Sequence, residues 1–203
     1  MSLKTNVFEQ FGNPNGTLGS LVGHVMAAKG DNRKRGRWTV DLLELDPTDR
    51  VLELGYGPGV VTGWLCDEVP EGQVVGVDRS ATMRDQAVRR NRSHVASGRL
   101  DLRVGDAEQL PADLGPFDAA CGMNVWQFWQ DPEATLAGIG ATLRPGGRIA
   151  ITYLQPTSGA QTGDDAEAEI TGQLRGAGFV DVRAEQLAIG TKQAVCGLGR
   201  VAE

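Results

Sequence analysis

Histidine and cysteine are scarce in this chain: two histidines and three cysteines in 203 residues. Cys66, Cys121 and Cys196 are widely spaced, form no Cys-x-x-Cys pair and have no histidine cluster beside them. An odd, scattered set reads as buried free thiols in a reducing compartment, and no metal centre is expected. Long apolar runs are also missing. None approaches the roughly 18 residues that a membrane span needs. The N-terminus has no positively charged segment leading into an apolar stretch, so no signal peptide is expected and the chain is placed in the cytoplasm. Positive charge is not in excess: 20 Lys and Arg face 26 Asp and Glu, a net charge of -6. A protein whose affinity comes mainly from nucleic-acid phosphates needs the opposite balance. A small-molecule substrate remains open.

What is present is ordinary globular material, 40% hydrophobic and 23% charged, enough for a packed core. From Asp49 onward, apolar strands alternate with helical patterns. Strands are expected at Val51–Leu54, Val74–Asp78, Leu100–Val104, Phe117–Gly122, Arg148–Leu154, Phe179–Leu187 and Lys192–Leu198. Helices are expected from Gly59 to Glu68, from a Ser80 cap to about Ser97, after the Asp131-Pro132-Glu133 start, and around Ile170, Leu174 and Ala177. Such alternation predicts an α/β fold: a Rossmann-like three-layer sandwich around a seven-stranded, mostly parallel sheet. The two closing strands lie too near each other in sequence for a parallel crossover, so the last is expected to be antiparallel. Residues 1–48 read differently. Leu18, Leu21, Val22, Val25 and Met26 follow helical spacing, as do Trp38, Leu42 and Leu45. They predict two helices forming a lid over the open end of the sheet, joined by a basic segment from Lys29 to Arg37. The division is therefore a helical lid, 1–48, and a ligand-binding domain, 49–203.

Glu53-Leu54-Gly55-Tyr56-Gly57-Pro58-Gly59 follows the first strand and opens a helix. Ligands of open parallel sheets bind beyond the carboxyl ends of the strands, and glycine lets backbone approach a ligand closely. A dinucleotide loop reads G-x-G-x-x-G/A. Here that last position is Val60, the third glycine comes one residue early, and no Lys-Ser/Thr follows. The spacing of Gly55, Gly57 and Gly59 behind Glu53 resembles motif I of the class I S-adenosylmethionine (SAM)-dependent methyltransferases. Three more segments fall in that family's order: Gly76-Val77-Asp78, Gly105-Asp106-Ala107-Glu108 and Leu143-Arg144-Pro145-Gly146-Gly147. The resemblance covers Asp49 to about Leu154 well and the remainder more loosely.

The resemblance implies SAM as cofactor and methyl transfer as the activity. It implies that Glu53 orders the amino-acid part, Asp78 grips both ribose hydroxyls, and Asp106 lies by the adenine amino group. With them, Gly55, Tyr56, Gly57, Gly59, Arg79, Met83, Gly105, Ala107, Asn124 and Val125 form the implied cofactor-binding set. Asp78 and Asp106 also have plain readings as turn or capping residues, and Pro145-Gly146-Gly147 is a structural turn in either case. The stretch Gly122 to Trp129 lies, in the family, under the methionine part and beside the acceptor. Trp126, Phe128 and Trp129 are candidates for the acceptor wall, with packing against the following helix as the equal alternative.

The Asn/Asp-Pro-Pro-aromatic sequence of enzymes that methylate nucleobase or amide nitrogens is absent, which disfavours nucleic-acid and release-factor substrates. The expected acceptor is a small molecule. His24 is a weak candidate general base, its ordinary pKa lying near neutrality; His94 is expected at the surface. Phe11 to Gly19 resembles the ubiquinone- and phospholipid-methylating members, in the methyltransferase type 11 group, which would make it a lid. The basic segment is a solvated face or, alternatively, a docking site for an acidic acceptor or a peripheral lipid surface. Two other classes stay open: a non-catalytic SAM-fold protein that binds a partner, and an NAD-dependent oxidoreductase, which Gly59 and Val60 disfavour.

Overall fold

Strands buried on both faces of a parallel sheet carry nearly continuous apolar runs, and this chain has several. A computed structural model describes residues 30–111, 113–154 and 163–203. The strands are β1 (Arg50–Leu54), β2 (Gln73–Asp78), β3 (Leu100–Val104), β4 (Phe117–Met123), β5 (Leu143–Leu154), β6 (Val180–Ile189) and β7 (Lys192–Arg200). They form one seven-stranded sheet in the order β3-β2-β1-β4-β5-β7-β6. The first five are parallel, and β7 runs antiparallel between β5 and β6. Strand order reverses between β1 and β4, the switch point where such sheets open a crevice.

Helices cover both faces. On one side lie α1 (Gly30–Leu42), α2 (Val60–Glu68), α3 (Ala81–Arg90) and α4 (Arg92–Ala96); on the other lie α5 (Pro132–Gly140) and α6 (Gly163–Gly176). Side-chain alternation along β1 divides the core. Leu52 and Leu54 join Phe117, Leu136, Ile139, Ile170 and Leu174 on the α5–α6 side. Val51 joins Val40, Leu43, Leu65, Cys66 and Cys121 on the α1–α2 side. Glu53 has the same parity as Val51 and is buried at 1% exposure.

Three local readings from the sequence are corrected. The basic segment is not a joint: α1 starts at Gly30 and runs through it. Arg35, Gly36, Thr39, Val40 and Leu43 are buried, a helical stripe of the kind that drives packing, while Arg33, Lys34 and Arg37 face outward. The Thr39 and Thr152 hydroxyls share a hydrogen bond of 2.7 Å that seats α1 against β5. The long helix expected after Ser80 is broken at Asn91 into α3 and α4. Finally, β5 begins at Leu143, so the Pro-Gly-Gly turn lies inside it. The first helical segment, Leu18 to Met26, and the Phe11–Gly19 stretch lie outside the described residues.

The break at Asn91 serves the glycine loop. Its buried amide donates to the Gly59 carbonyl (2.8 Å) and to Ala87 (3.1 Å), and Arg90 donates to the Pro58 carbonyl (2.9 Å). The end of α3 is thus tied to the loop that opens α2. Replacing Asn91→Ala removes a buried donor from the Gly59 carbonyl, while the Ala87 carbonyl keeps the backbone amide of position 91. The expected loss is about 1–3 kcal/mol, read as a fall in the urea midpoint with unchanged m-value. An unchanged midpoint would show that the tie is unimportant.

Candidate functional site

At the carboxyl end of β1 the chain turns through three glycines at positive φ: Gly55 (66°), Gly57 (51°) and Gly59 (75°). Each turns its amide inward. Gly55 N–H donates to Val77 O (2.7 Å), Gly59 N–H to Tyr56 O (3.0 Å), and Gly57 N–H to the Asp78 carboxylate (2.8 Å). Asp78, at the end of β2, also accepts the Ser80 amide at 2.8 Å with its other oxygen. One carboxylate thereby joins the loop after β1 to the turn after β2. Burial raises the Asp78 pKa, opposed by the Ser80 and Gly57 amides and by Arg79.

The glycines differ in what surrounds them. A side-chain carbon on Gly57 would meet nothing within 4 Å. On Gly59 it would lie 2.8 Å from the Ala87 backbone and 2.6 Å from the Asn91 amide. Gly57 therefore borders open space, whereas Gly59 lets α3 approach the loop. Met83, a further wall of that space, is held by Tyr56 and Ala87.

Arg79 bridges two acids, donating to Asp106 at 2.8 Å and to Glu108 at 2.5 Å. Asp106 accepts the Glu108 amide at 3.0 Å, and Glu108 accepts the Gln130 amide at 2.7 Å. The loops after β2, β3 and β4 are strapped together by these contacts. Burial alone would raise the Asp106 pKa, but the Arg79 guanidinium and the Glu108 amide outweigh it and hold the group below the ordinary value. Asn124 sits at φ 54° and accepts the Leu154 amide at 3.0 Å, tying β4 to the end of β5.

These loops border a crevice of about 780 Å³ that opens to solvent, lined by Asp78, Val77, Met83, Ala107, Phe128 and Trp129 among others. A second, adjoining hollow of about 530 Å³ shares Arg35, Gly55, Gly57 and Met123 with the first, and adds Glu53, Asn32 and Arg33. At its floor, Glu53 accepts the Thr62 hydroxyl at 2.6 Å. Burial raises the Glu53 pKa to about 7, against the Thr62 hydrogen bond and with help from the Asp78 charge. The two adjoining hollows thus hold one carboxyl group each, Asp78 in the first and Glu53 in the second, with exposed Arg33 in the second and buried Arg35 shared by both.

Sequence and structure comparisons give the same answer. Residues 51–147 match the methyltransferase domain family. The YdaC methyltransferase of Bacillus subtilis is 26% identical over 183 residues, covering 89% of this chain and 97% of the relative. A protein of a Streptomyces fradiae transposon is 38% identical over 113 residues, covering 55% of this chain; the match spans 32% of that protein's length. Among solved structures, the N-methyltransferase NodS of Bradyrhizobium japonicum, in complex with S-adenosylhomocysteine (SAH), superposes with a TM-score of 0.70. It is 16% identical, with 88% of this chain and 91% of that chain covered.

Residues 51–147 thus match a methyltransferase domain, and the fold is that of the class I methyltransferases.

Within this domain, the residues singled out from the sequence fall into two groups. Glu53, Gly55, Tyr56, Gly57, Asp78, Arg79, Met83, Gly105, Ala107, Asn124 and Val125 line one hollow or both. Gly59 and Asp106 line neither; Gly59 packs under α3, and Asp106 holds Arg79 and caps the turn Ala107–Gln109. The aromatics also divide. Phe128 and Trp129 line the crevice. Trp126 does not: it packs edge-on against Tyr153, and its indole N–H donates to Gln173. His24 lies outside the described residues. His94 is partly buried rather than a surface residue, between Arg99 (2.8 Å) and Asp67 (3.5 Å), away from the crevice lining. Among the described residues, no three His, Cys, Asp or Glu side chains are grouped to hold a metal ion.

Sequence reasoning missed Asn32, Arg33, Arg35 and Met123 as lining residues. The first three are in the segment read as solvated. The available signal was the helical spacing of Arg35 with Thr39 and Leu43, hidden by the charges beside it.

The two glycine roles are separable. Gly57→Ala strains the backbone by about 1–2 kcal/mol and puts a methyl into the crevice. Melting temperature should fall slightly, and SAH binding by calorimetry should be lost. Gly59→Ala adds a steric clash to the same strain, together about 2–4 kcal/mol, so stability should suffer far more than with Gly57→Ala. Equal destabilisation by both variants would contradict the assignment.

Proposed function

We propose that this chain is a SAM-dependent methyltransferase acting on a small-molecule acceptor. The observation that carries the reading is the inward turning of the three glycine amides. A phosphate at a helix N-terminus needs free backbone donors; here Gly55, Gly57 and Gly59 each have an acceptor inside the protein. What the two hollows offer a ligand is the Asp78 carboxylate in one, the buried Glu53 carboxyl group in the other, and the guanidinium groups of exposed Arg33 and buried Arg35. That set matches a phosphate-free nucleoside carrying an amino acid: hydroxyls on Asp78, an ammonium on Glu53, a carboxylate on the Arg33 and Arg35 side. It does not match a pyrophosphate.

SAM, when bound, supplies an electrophilic methyl group on a sulfonium; the acceptor's lone pair takes the methyl and sulfur keeps the electrons of the broken bond. The protein's part is positioning and exclusion of water, which can contribute on the order of 7–11 kcal/mol without an acid or base. Asp78 and Met83 orient the nucleoside, and the Arg79 strap keeps the loops around it closed. Phe128, Trp129 and Met123 form the apolar wall against which an acceptor lies flat. Tyr153 and Gln173 hold Trp126 beneath that wall, so Trp126 positions its neighbours and does not touch substrate. No helix among the described residues is long and apolar enough to cross a membrane, which suits an acceptor met in solution or at a lipid surface.

Isothermal titration with SAH and with NAD tests the reading. SAH should bind and NAD should not; the reverse would refute the proposal. Asp78→Ala removes an acceptor whose hydrogen bonds to a ligand each contribute about 1.5–3 kcal/mol. SAH affinity should drop by a factor of ten or more, and melting temperature should also fall because Gly57 and Ser80 lose their acceptor. Unaltered affinity would place the ribose elsewhere.

A further inference from the structure

Glu53 is a carboxyl group in an apolar setting. It is 1% exposed and on the sheet face shared by Val51, Leu65, Cys66 and Cys121. From α2 it receives the Thr62 hydroxyl, a neutral donor. The thiols and phenol nearby carry no charge near neutrality: burial pushes Cys66 up to about 12, and Cys121 and Tyr56 upward as well. Asp78, from β2, acts on Glu53 through space with the same sign of charge. Arg33 and Arg35, from α1, line the hollow into which Glu53 opens. Two carboxyl groups thus border two adjoining hollows, and the deeper group is shielded from water.

We infer that Glu53 is protonated in the ligand-free chain and gives up its proton when an ammonium group is seated over it. Binding of an amino-acid-bearing nucleoside is therefore coupled to proton release, and Glu53 distinguishes such ligands from nucleosides that lack the amino acid. The inference rests on the proposed SAM site, and specifies the charge state in which that site waits. Proton balance is simple: the Glu53 carboxyl O–H breaks, its proton passes to buffer, and the carboxylate pairs with an ammonium that is already charged. The direction follows from burial. An acid that is harder to ionise in the empty protein, with a pKa of about 7, regains its ordinary acidity when a cation stands beside it. Affinity for an ammonium-bearing ligand rises as pH climbs through 7 and levels off above it, while a ligand without the ammonium feels no such slope.

Calorimetry at pH 6.5 in phosphate, MES and imidazole buffers counts the protons. With SAH, the observed heat should vary with the ionisation heat of the buffer and report net proton release on binding. With 5′-methylthioadenosine, which has the nucleoside and thioether but no amino acid, the count should be near zero. Glu53→Gln should bind SAH about tenfold more weakly and release no proton. If that variant binds too weakly to measure, the wild-type protein still decides: the SAH dissociation constant should fall about tenfold per pH unit below 7, and that of 5′-methylthioadenosine should stay flat. SAH binding without proton release, or the same release from Glu53→Gln, overturns the inference. Failure of SAH to bind at any pH is a different result, and removes the cofactor site itself.

Discussion

One carboxylate organises the ligand-binding end of this molecule. Asp78 accepts the Gly57 amide with one oxygen and the Ser80 amide with the other, so it fixes the loop after β1 and the start of α3 together. A buried carboxylate must be well hydrogen-bonded to be tolerated, and here its two donors come from the segments that have to be held. Without it, the Gly57 amide would face the crevice and could serve a phosphate. With it, the loop presents a smooth backbone surface and a carboxylate edge. The same interaction ties the fold together locally and, in the function proposed above, shapes the chemical preference of the site.

The remaining parts are arranged around that junction by sheet topology. Strand order reverses between β1 and β4, so the loops after β1, β2, β3 and β4 all border the same opening. Arg79 straps three of them through Asp106, Glu108 and Gln130, partly exposed contacts whose separate contributions are small but which act on one rim. Alternation along β1 sends Leu52 and Leu54 into the α5–α6 core and Glu53 into the opposite layer, next to Thr62. Burial at the strand end, beside Thr62 of α2, raises the Glu53 pKa and weakens it as an acid. The placement of Glu53 therefore follows from the side-chain parity of a five-residue strand.

Much of the fold was legible from period and punctuation. All seven strands were recognised because buried parallel strands show as short apolar runs between turn signals, and the antiparallel closing pair followed from its short connection. Asp131 and Pro132 open α5 as expected, with the Asp131 side chain accepting the Ala134 amide. The errors share a cause. A run of Lys and Arg reads as a joint in the sequence, although the helix carries its charges outward and buries Arg35 and Thr39 on its other side. Asn91 gave no warning of a helix break, because its role depends on contacts with Gly59, 32 positions away. Gly57 and Asp78, which the motif resemblance implies as cofactor residues, line the crevice. Gly59 and Asp106 belong to the same segments, yet their side-chain positions serve packing and the Arg79 strap, a division that linear spacing does not encode. The split between Trp126 and its neighbours Phe128 and Trp129 likewise depends on Tyr153 and Gln173, distant in sequence.

The central claim is that a phosphate-free nucleoside with a charged amino-acid end lies across the ends of β1, β2 and β4. A crystal structure of the chain grown with SAH tests it most directly. The account requires both ribose hydroxyls on the Asp78 carboxylate and the amino group over Glu53, with the glycine amides keeping their internal acceptors. A nucleoside bound elsewhere, or a loop rearranged so that its amides face the ligand, would contradict it.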